Sequence, residues 1–504
     1  MPEREESHLV PGFEAPLGHL GDILGGAQTG MLPPSLSVDY ARQHDDGLRT
    51  CLSKLLQQPR PLGKNGQSWR LASLPLRLGG AGLRSAERTA QGAYWAAWAD
   101  ALAMLQERQP DWARRICSAL EGEAEAGASC TTEAEAAGRL LDEEGWTQRP
   151  SWAALLAGAR PQAQQRENQN REEEQEAEGE ASWGGSAEPG EWKHGWQFSA
   201  CSFRESRYRE HVLLPALPPS SQAMLRSNAG PGAGYWLTAL PTSTATQLQP
   251  SLFQVALRRR LRMRLLLGLR RCPGRTCGSY CDAVGDHLSA CSRSGLLQSR
   301  ALPLERVWRK VFCEAGARVV PQHMLRDLDT SVQAEDGRRI DVVAFDLPLH
   351  GGVPLCGDAT MVSPLHADGT ARRGAQDTDG LRLRAARKRK ATQYPELVRG
   401  DGGRLVLLGC EVGGRWAPET LRLLRQLARH RAKQAPALLR KSAQHAWHRR
   451  WLCIISIAAQ SALAASLAEP TALWRAGQQG NEPAEAEVLC AGLAAMARSR
   501  LPLR

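Results

Sequence analysis

Four potential metal ligands fall within one stretch of twenty residues, and no other feature of the sequence ties down a piece of backbone so tightly. Cys272, Cys277, His287 and Cys291 form the pattern C-x4-C-x9-H-x3-C inside RCPGRTCGSYCDAVGDHLSAC. Thiolates and imidazole are the soft and borderline donors that suit tetrahedral zinc. Gly274, Gly278 and Gly285 stand where a closed knuckle needs tight turns. Cys281 is a fifth candidate, in place of Cys277. Four protein donors close the shell and leave no position for an activated water, so zinc here is expected to be structural. The chain has thirteen cysteines, an odd number, and its start, MPEREESHLV, is charged and lacks the apolar run of a secretory signal. A reducing, intracellular setting is therefore expected, in which clustered cysteines bind metal rather than pair as disulfides.

Lys and Arg number 64 against 53 Asp and Glu, a net charge of +11 that suits a polyanionic partner. Its distribution says more than its size. Arg258, Arg259, Arg260, Arg262, Arg264, Arg270 and Arg271 crowd the segment just before the cysteines. The expected use of this run is contact with nucleic-acid phosphates, which would make the zinc module face DNA or RNA. The expected location is then the nucleus. Basic helices are read at 382–390 and 422–450, and negative charge gathers near 167–190. The apolar run from Trp451 to Ala468 approaches membrane-spanning length. It holds Ser456, Gln460, Ser461, Ser466 and much alanine, so it is read as a buried core helix, and no membrane partner is expected.

The composition divides the chain. Residues 1–39 read as poorly ordered and 40–159 as helical. Leu48, Cys51, Leu52 and Leu55 share one face of a helix over 44–56. Ser85 is a helix N-cap, and the helix after it buries Tyr94, Trp95 and Trp98. The glycines of LPLRLGGAGLRSA (74–86) lack a following GK[ST], so the stretch is a loop and not a phosphate cradle. Residues 160–192 are rich in Glu, Gln and Gly and poor in large aliphatics, which predicts a disordered acidic linker. A helical region with a basic end, 193–271, leads into the knuckle at 272–295. An α/β core follows at 301–415, then helices over 416–504. The fold class read from this order is mixed α+β.

Within the core the patterning gives a helix at 303–317, strands at 317–322, 338–347 and 353–362, a basic helix at 381–394, a strand at 404–412 and helices over 418–468. Asp341 in RRIDVV and Asp358 in CGDAT sit on neighbouring β-type runs joined by a short turn. A hairpin would bring both carboxylates to one end of a sheet. Lys390 or Lys388 on the next helix supplies a cation, and Glu305 on the preceding helix, or Glu411, supplies a third acid. Carboxylates converging on a divalent ion, with a cation alongside, are what hydrolysis of a phosphodiester requires.

This succession of knuckle, RRIDVV, DAT and the K-x3-Y of Lys390 to Tyr394 resembles the C-terminal region of site-specific non-long-terminal-repeat retrotransposon proteins. Those carry a CCHC knuckle beside a restriction-like endonuclease of the PD-(D/E)XK class, with a helix, a sheet containing an active-site hairpin, and a second helix. The resemblance implies that Asp341 and Asp358 bind catalytic magnesium. It also implies that Lys390 is the catalytic lysine, moved from strand to helix, and that Tyr394 is its companion. Two departures stand out: Ile340 precedes the first acid where that class has proline, and Thr360 stands where the simplest pattern has lysine. A polymerase palm is absent from this reading, because no [FY]-x-D-D occurs and His44-Asp45-Asp46 lacks a strand–turn–strand setting. The expectation is a DNA-nicking endonuclease or, from another class, a catalytically silent nucleic-acid-binding remnant.

Overall fold

Among the described residues, every strand lies in the second half of the chain, beginning at Arg318. The computed structural model describes residues 32–122, 129–161, 195–268, 270–400 and 402–468. The predicted linker, from residue 162 onward, lies outside the described residues, as does 1–31. The chain divides into two compact units, and the division is not the one read from composition. Residues up to His44 group with Gly82–Arg204, whereas Asp45–Ala81 group with the C-terminal part. The first described helix, α1 (Pro34–Leu55), begins inside the stretch read as poorly ordered. Its buried positions include Ala41, Asp45 and Leu52, while Cys51 is exposed. His44, Asp45 and Asp46 are helical, which rules out a palm-type turn at that point.

The first unit is helical: it holds α2 (Ala86–Arg108), α3 (Pro110–Leu120), α4 (Ser129–Glu143) and α5 (Trp196–Arg207) as far as Arg204. Ser85 caps α2 by accepting the Arg88 amide at 3.1 Å, as its sequence position predicts. Trp95 is fully buried and lies 5.1 Å from Trp146, 5.9 Å from Trp152 and 5.7 Å from Trp196, ring centre to ring centre. Tyr94 is buried too, and Trp98 packs at the edge of this core. Edge-on and tilted contacts of this kind favour aromatic rings as core, not ligand-binding, elements.

The second unit contains α6 (Pro250–Arg260), α7 (Leu296–Ala315) and a four-stranded sheet. The strands are β1 (Arg318–Met324), β2 (Arg339–Phe345), β3 (Leu355–Val362) and β4 (Arg404–Glu411), with α8 (Leu381–Gln393) between the last two. Strands β1, β2 and β3 are antiparallel neighbours, and β4 adds to β3 in parallel. A parallel pair needs a crossover, and α8 is in it. Helices α9 (Pro418–Ala432) and α10 (Arg440–Ala468) complete the unit. One core joins Trp308 and Phe312 of α7, Val342, Leu355 and Leu408 of the sheet, and Trp451 and Ile455 of α10. The apolar half of α10 is thus buried inside protein, which agrees with its reading as a core helix.

The arginine run is the main correction. Arg258, Arg259 and Arg260 are 3%, 2% and 3% exposed and cannot meet a phosphate backbone. Arg260 donates to the carbonyls of Gly80 at 2.9 Å, Asn228 at 3.1 Å, and Ala233 and Leu76 at 3.4 Å. Burial pushes its guanidinium down to about 9, still charged at neutral pH. Arg258 donates to the carbonyls of Leu56 and Arg264. Arg259 reaches Val284 O at 2.8 Å and Asp286 at 3.1 Å, and Arg262 grips Asp286 through two 2.8 Å bonds. Arg270 is half-buried and donates to Ala468 O, leaving Arg264 and Arg271 as the exposed members. A guanidinium carries five donors in a rigid fork, so it can pin several carbonyls at once. Here the run ties α6 to its surroundings.

Candidate functional site

Two clusters of titratable side chains stand in the second unit. The first is the knuckle. The ligand atoms of Cys272, Cys277, His287 and Cys291 all lie within 4.8 Å of one another. Sγ of Cys272 and Cys291 are 3.9 Å apart, Sγ of Cys277 and Cys291 3.7 Å, and Nε2 of His287 is 3.4 Å from Sγ of Cys277. A tetrahedron with zinc–sulfur bonds of about 2.3 Å has edges of about 3.8 Å, so these four donors fit that ion. Cys281 is outside the group; its amide instead donates to Arg270 O in the short hairpin that brings Cys272 back past Ser279. Gly274 is required: a Cβ there would come within 2.2 Å of the Arg293 carbonyl.

The surroundings of His287 fix its chemistry. Its Nδ1 is 2.8 Å from the carbonyl of Ala367, which can only accept, so Nδ1 bears the proton and Nε2 offers a lone pair to the sulfurs. Asp282 accepts the backbone amides of Val284, Asp286 and His287, which sets the turn into the ligand's helix. Hydrogen bonds from Ser279 pull the Cys277 thiol down to about 6, whereas burial pushes the Cys272 thiol up to about 12. The sequence shows the ligands but not Ala367, which is eighty residues further along the chain.

The second cluster lies across the sheet. Val342 pairs with Gly357 in the β2–β3 ladder, so Asp341 and Asp358 occupy the next facing positions, on one face. The strands part there, and Asp341 Oδ2 accepts the Ala359 amide at 2.8 Å. Pro321 and His323 pair with Val342 and Ile340, which puts Gln322 of β1 opposite Asp341 on its other side. Gln322 donates to Glu305 of α7 at 2.8 Å. Lys390 reaches from α8 to Asp358 Oδ2 at 2.6 Å, and its ammonium stands 5.8 Å from the ring centre of Tyr394. The Tyr394 hydroxyl donates to Arg339 O at 2.7 Å. The other oxygen of Asp358, Oδ1, is buried without a partner.

The electrostatics follow. Burial, with Asp358 and Glu305 nearby, pushes Asp341 up to about 7. Burial raises Glu305, opposed by the Gln322 hydrogen bond, and raises Asp358, opposed by Lys390. Burial and the two aspartates keep the Tyr394 phenol neutral by raising it above its ordinary value. Asp341, Asp358, Glu305, Lys390 and Tyr394 are therefore brought together. Lys388 is exposed and not among them. Glu411 belongs elsewhere, beside Arg415, Ser227 and Asp379. Gln322 escaped sequence reasoning, although its backbone marks it: its φ of 49° is left-handed, a conformation uncommon outside glycine.

No protein-family model matches the chain, and no curated protein is significantly similar to it.

Proposed function

We propose that the second unit is a magnesium-dependent endonuclease that nicks DNA, akin to the restriction-like nucleases of site-specific non-long-terminal-repeat retrotransposons. The observation that carries this reading is the row of Gln322, Asp341 and Asp358 across three strands, with Glu305 above it and Lys390 entering from the following helix. The order of helix, three antiparallel strands, helix and parallel strand agrees with that class. Hard carboxylate oxygens are the donors magnesium takes, and the orphaned Oδ1 of Asp358 is a buried acceptor in need of a cation. Asp341 and Asp358, with Glu305 as third acid, would hold the ion. When bound, it would neutralise charge on the phosphate and lower the pKa of a water. Lys390 places a positive charge where the pentacovalent phosphate becomes more negative, and the Tyr394 ring and its bond to Arg339 O hold that lysine's approach. The zinc centre supports the scaffold and takes no part in the chemistry.

The competing reading is a catalytically silent nucleic-acid-binding protein. It draws on the Lys390–Asp358 pair, in which the ammonium already occupies a cation's place. Plasmid nicking with and without magnesium decides between them. Wild type is expected to nick only with magnesium, and Asp358→Asn at a rate lower by roughly 10²-fold or more. Equal products from both proteins would defeat the nuclease.

A further inference from the structure

From Thr420 to Ala468 the chain carries nine Lys or Arg and no Asp or Glu. Helices α9 and α10 pack against each other and are joined through residues 433–439. The joining turn is ordered by a short helical turn, Ala437–Leu439, in which Leu439 N donates to Pro436 O at 2.9 Å. It presents Leu438, 97% exposed, and Leu439, 56% exposed, between cationic residues that include the exposed Arg429, Lys433 and Arg440. One exposed leucine is ordinary; two on a preformed turn, ringed by one sign of charge, make a shaped feature.

We infer that this tip docks on duplex nucleic acid, its cations meeting phosphates and its leucines wedging between base pairs. A second copy of the chain is a poor occupant, since like charges would face each other. An anionic membrane meets the charge, but two leucines without an exposed aromatic give it little to hold, and the apolar length of α10 is spent in the core. A duplex uses both parts of the feature: basic residues grip the backbone while apolar side chains unstack a step. The chain path limits how far the tip can stand from the acidic row. Arg387 of α8, three residues before Lys390, pairs with Glu419 at the start of α9 at 2.9 Å. The fifteen residues of α9 then carry the chain roughly 22 Å away. That is about six or seven base-pair steps, so the wedge would fall within about that distance of the nick. This placement rests on the nuclease reading; the docking itself does not.

The test uses the full-length, zinc-loaded protein without added magnesium and a duplex carrying 2-aminopurine at successive positions. Replacing Arg429, Lys433 and Arg440 together by Gln is expected to lower the slope of log affinity against log salt by about 2.7, or 0.9 per lost phosphate contact. Replacing Leu438 and Leu439 by Ala should leave that slope unchanged, weaken binding roughly tenfold or more, and abolish the rise in 2-aminopurine fluorescence. The substituted side chains are exposed, and zinc content with circular dichroism checks that both variants fold. An unchanged slope in the first variant, or unchanged fluorescence in the second, overturns the inference. So does binding to phosphatidylserine vesicles with the same leucine dependence and none to the duplex. Nicking with magnesium is scored separately. A protein that nicks but keeps its slope fails the docking claim alone, and one that docks through the tip yet never nicks fails only the acidic-site reading.

Discussion

The two clusters of the second unit differ in how finished they are. At the knuckle the four donors already gather within 4.8 Å of one another, and the one imidazole has its proton fixed by a backbone carbonyl. In the acidic row the carboxylates repel one another, one oxygen has no partner, and a lysine occupies the cation's place. Structural sites lower the free energy of the fold, whereas reactive ones raise it and are held in place by the rest of the protein. On the proposed reading, the first cluster serves stability and the second chemistry.

The strongest way to break this contrast is at the zinc ligands. Cys291→Ala should remove zinc and cost several kcal/mol of stability, on the order of what structural zinc sites contribute to small domains. Thermal melts with zinc quantification measure it; a variant that melts like wild type without zinc would end the structural role. In the acidic row the opposite is expected. Asp358→Asn should lower nicking by roughly 10²-fold or more while leaving the fold intact. A melting loss as large as that of Cys291→Ala would return Asp358 to the scaffold.

Asp341→Asn sharpens the same point through pH. The folded carboxyl lies at about 7, above its unfolded value near 3.9. Such a group binds its proton more tightly when folded, so its ionisation destabilises the fold as pH rises between those values. Relative to wild type without magnesium, the asparagine variant should show no advantage at pH 4 and a gain of about 2–4 kcal/mol by pH 8. Urea denaturation at several pH values would show it, and a flat difference would contradict the assignment. The smallest effects are expected from the lysines and Gln322. Lys390→Met should slow nicking with little change in magnesium dependence, and Lys388→Met should match wild type. Gln322→Ala should raise the magnesium concentration needed for half-maximal nicking severalfold, because Glu305 loses its 2.8 Å partner; Gln322→Glu should not restore it.

Much of this was legible because it is local. The alternation of RRIDVVAF and the apolar run RLVLLGC mark β2 and β4 to within a residue or two. Asp341 and Asp358 follow from their strands, and Lys390 from the helical rise after them. The arginine run was misread for a physical reason. Its partners are backbone carbonyls of Gly80, Asn228 and Val284, which have no sequence signature. A string of arginines reads alike whether it faces phosphate or carbonyl oxygen. The same holds for Ala367 and Gln322, whose roles arise from register and contact. The grouping of Asp45–Ala81 with the C-terminal unit is likewise a matter of long-range packing.

The bond from His287 to Ala367 would also order events during synthesis. All four metal ligands precede every strand of the sheet in the chain, so they leave the ribosome first and could capture an ion early. The carbonyl that fixes the imidazole emerges only after β3, at residue 367. Early capture would then be loose and exchangeable, and the later segment would lock it. A ribosome-bound chain stopped before β3 should release zinc to a chelator faster than one extended beyond β4. The metal's residence time would in that way report how far the sheet has been built.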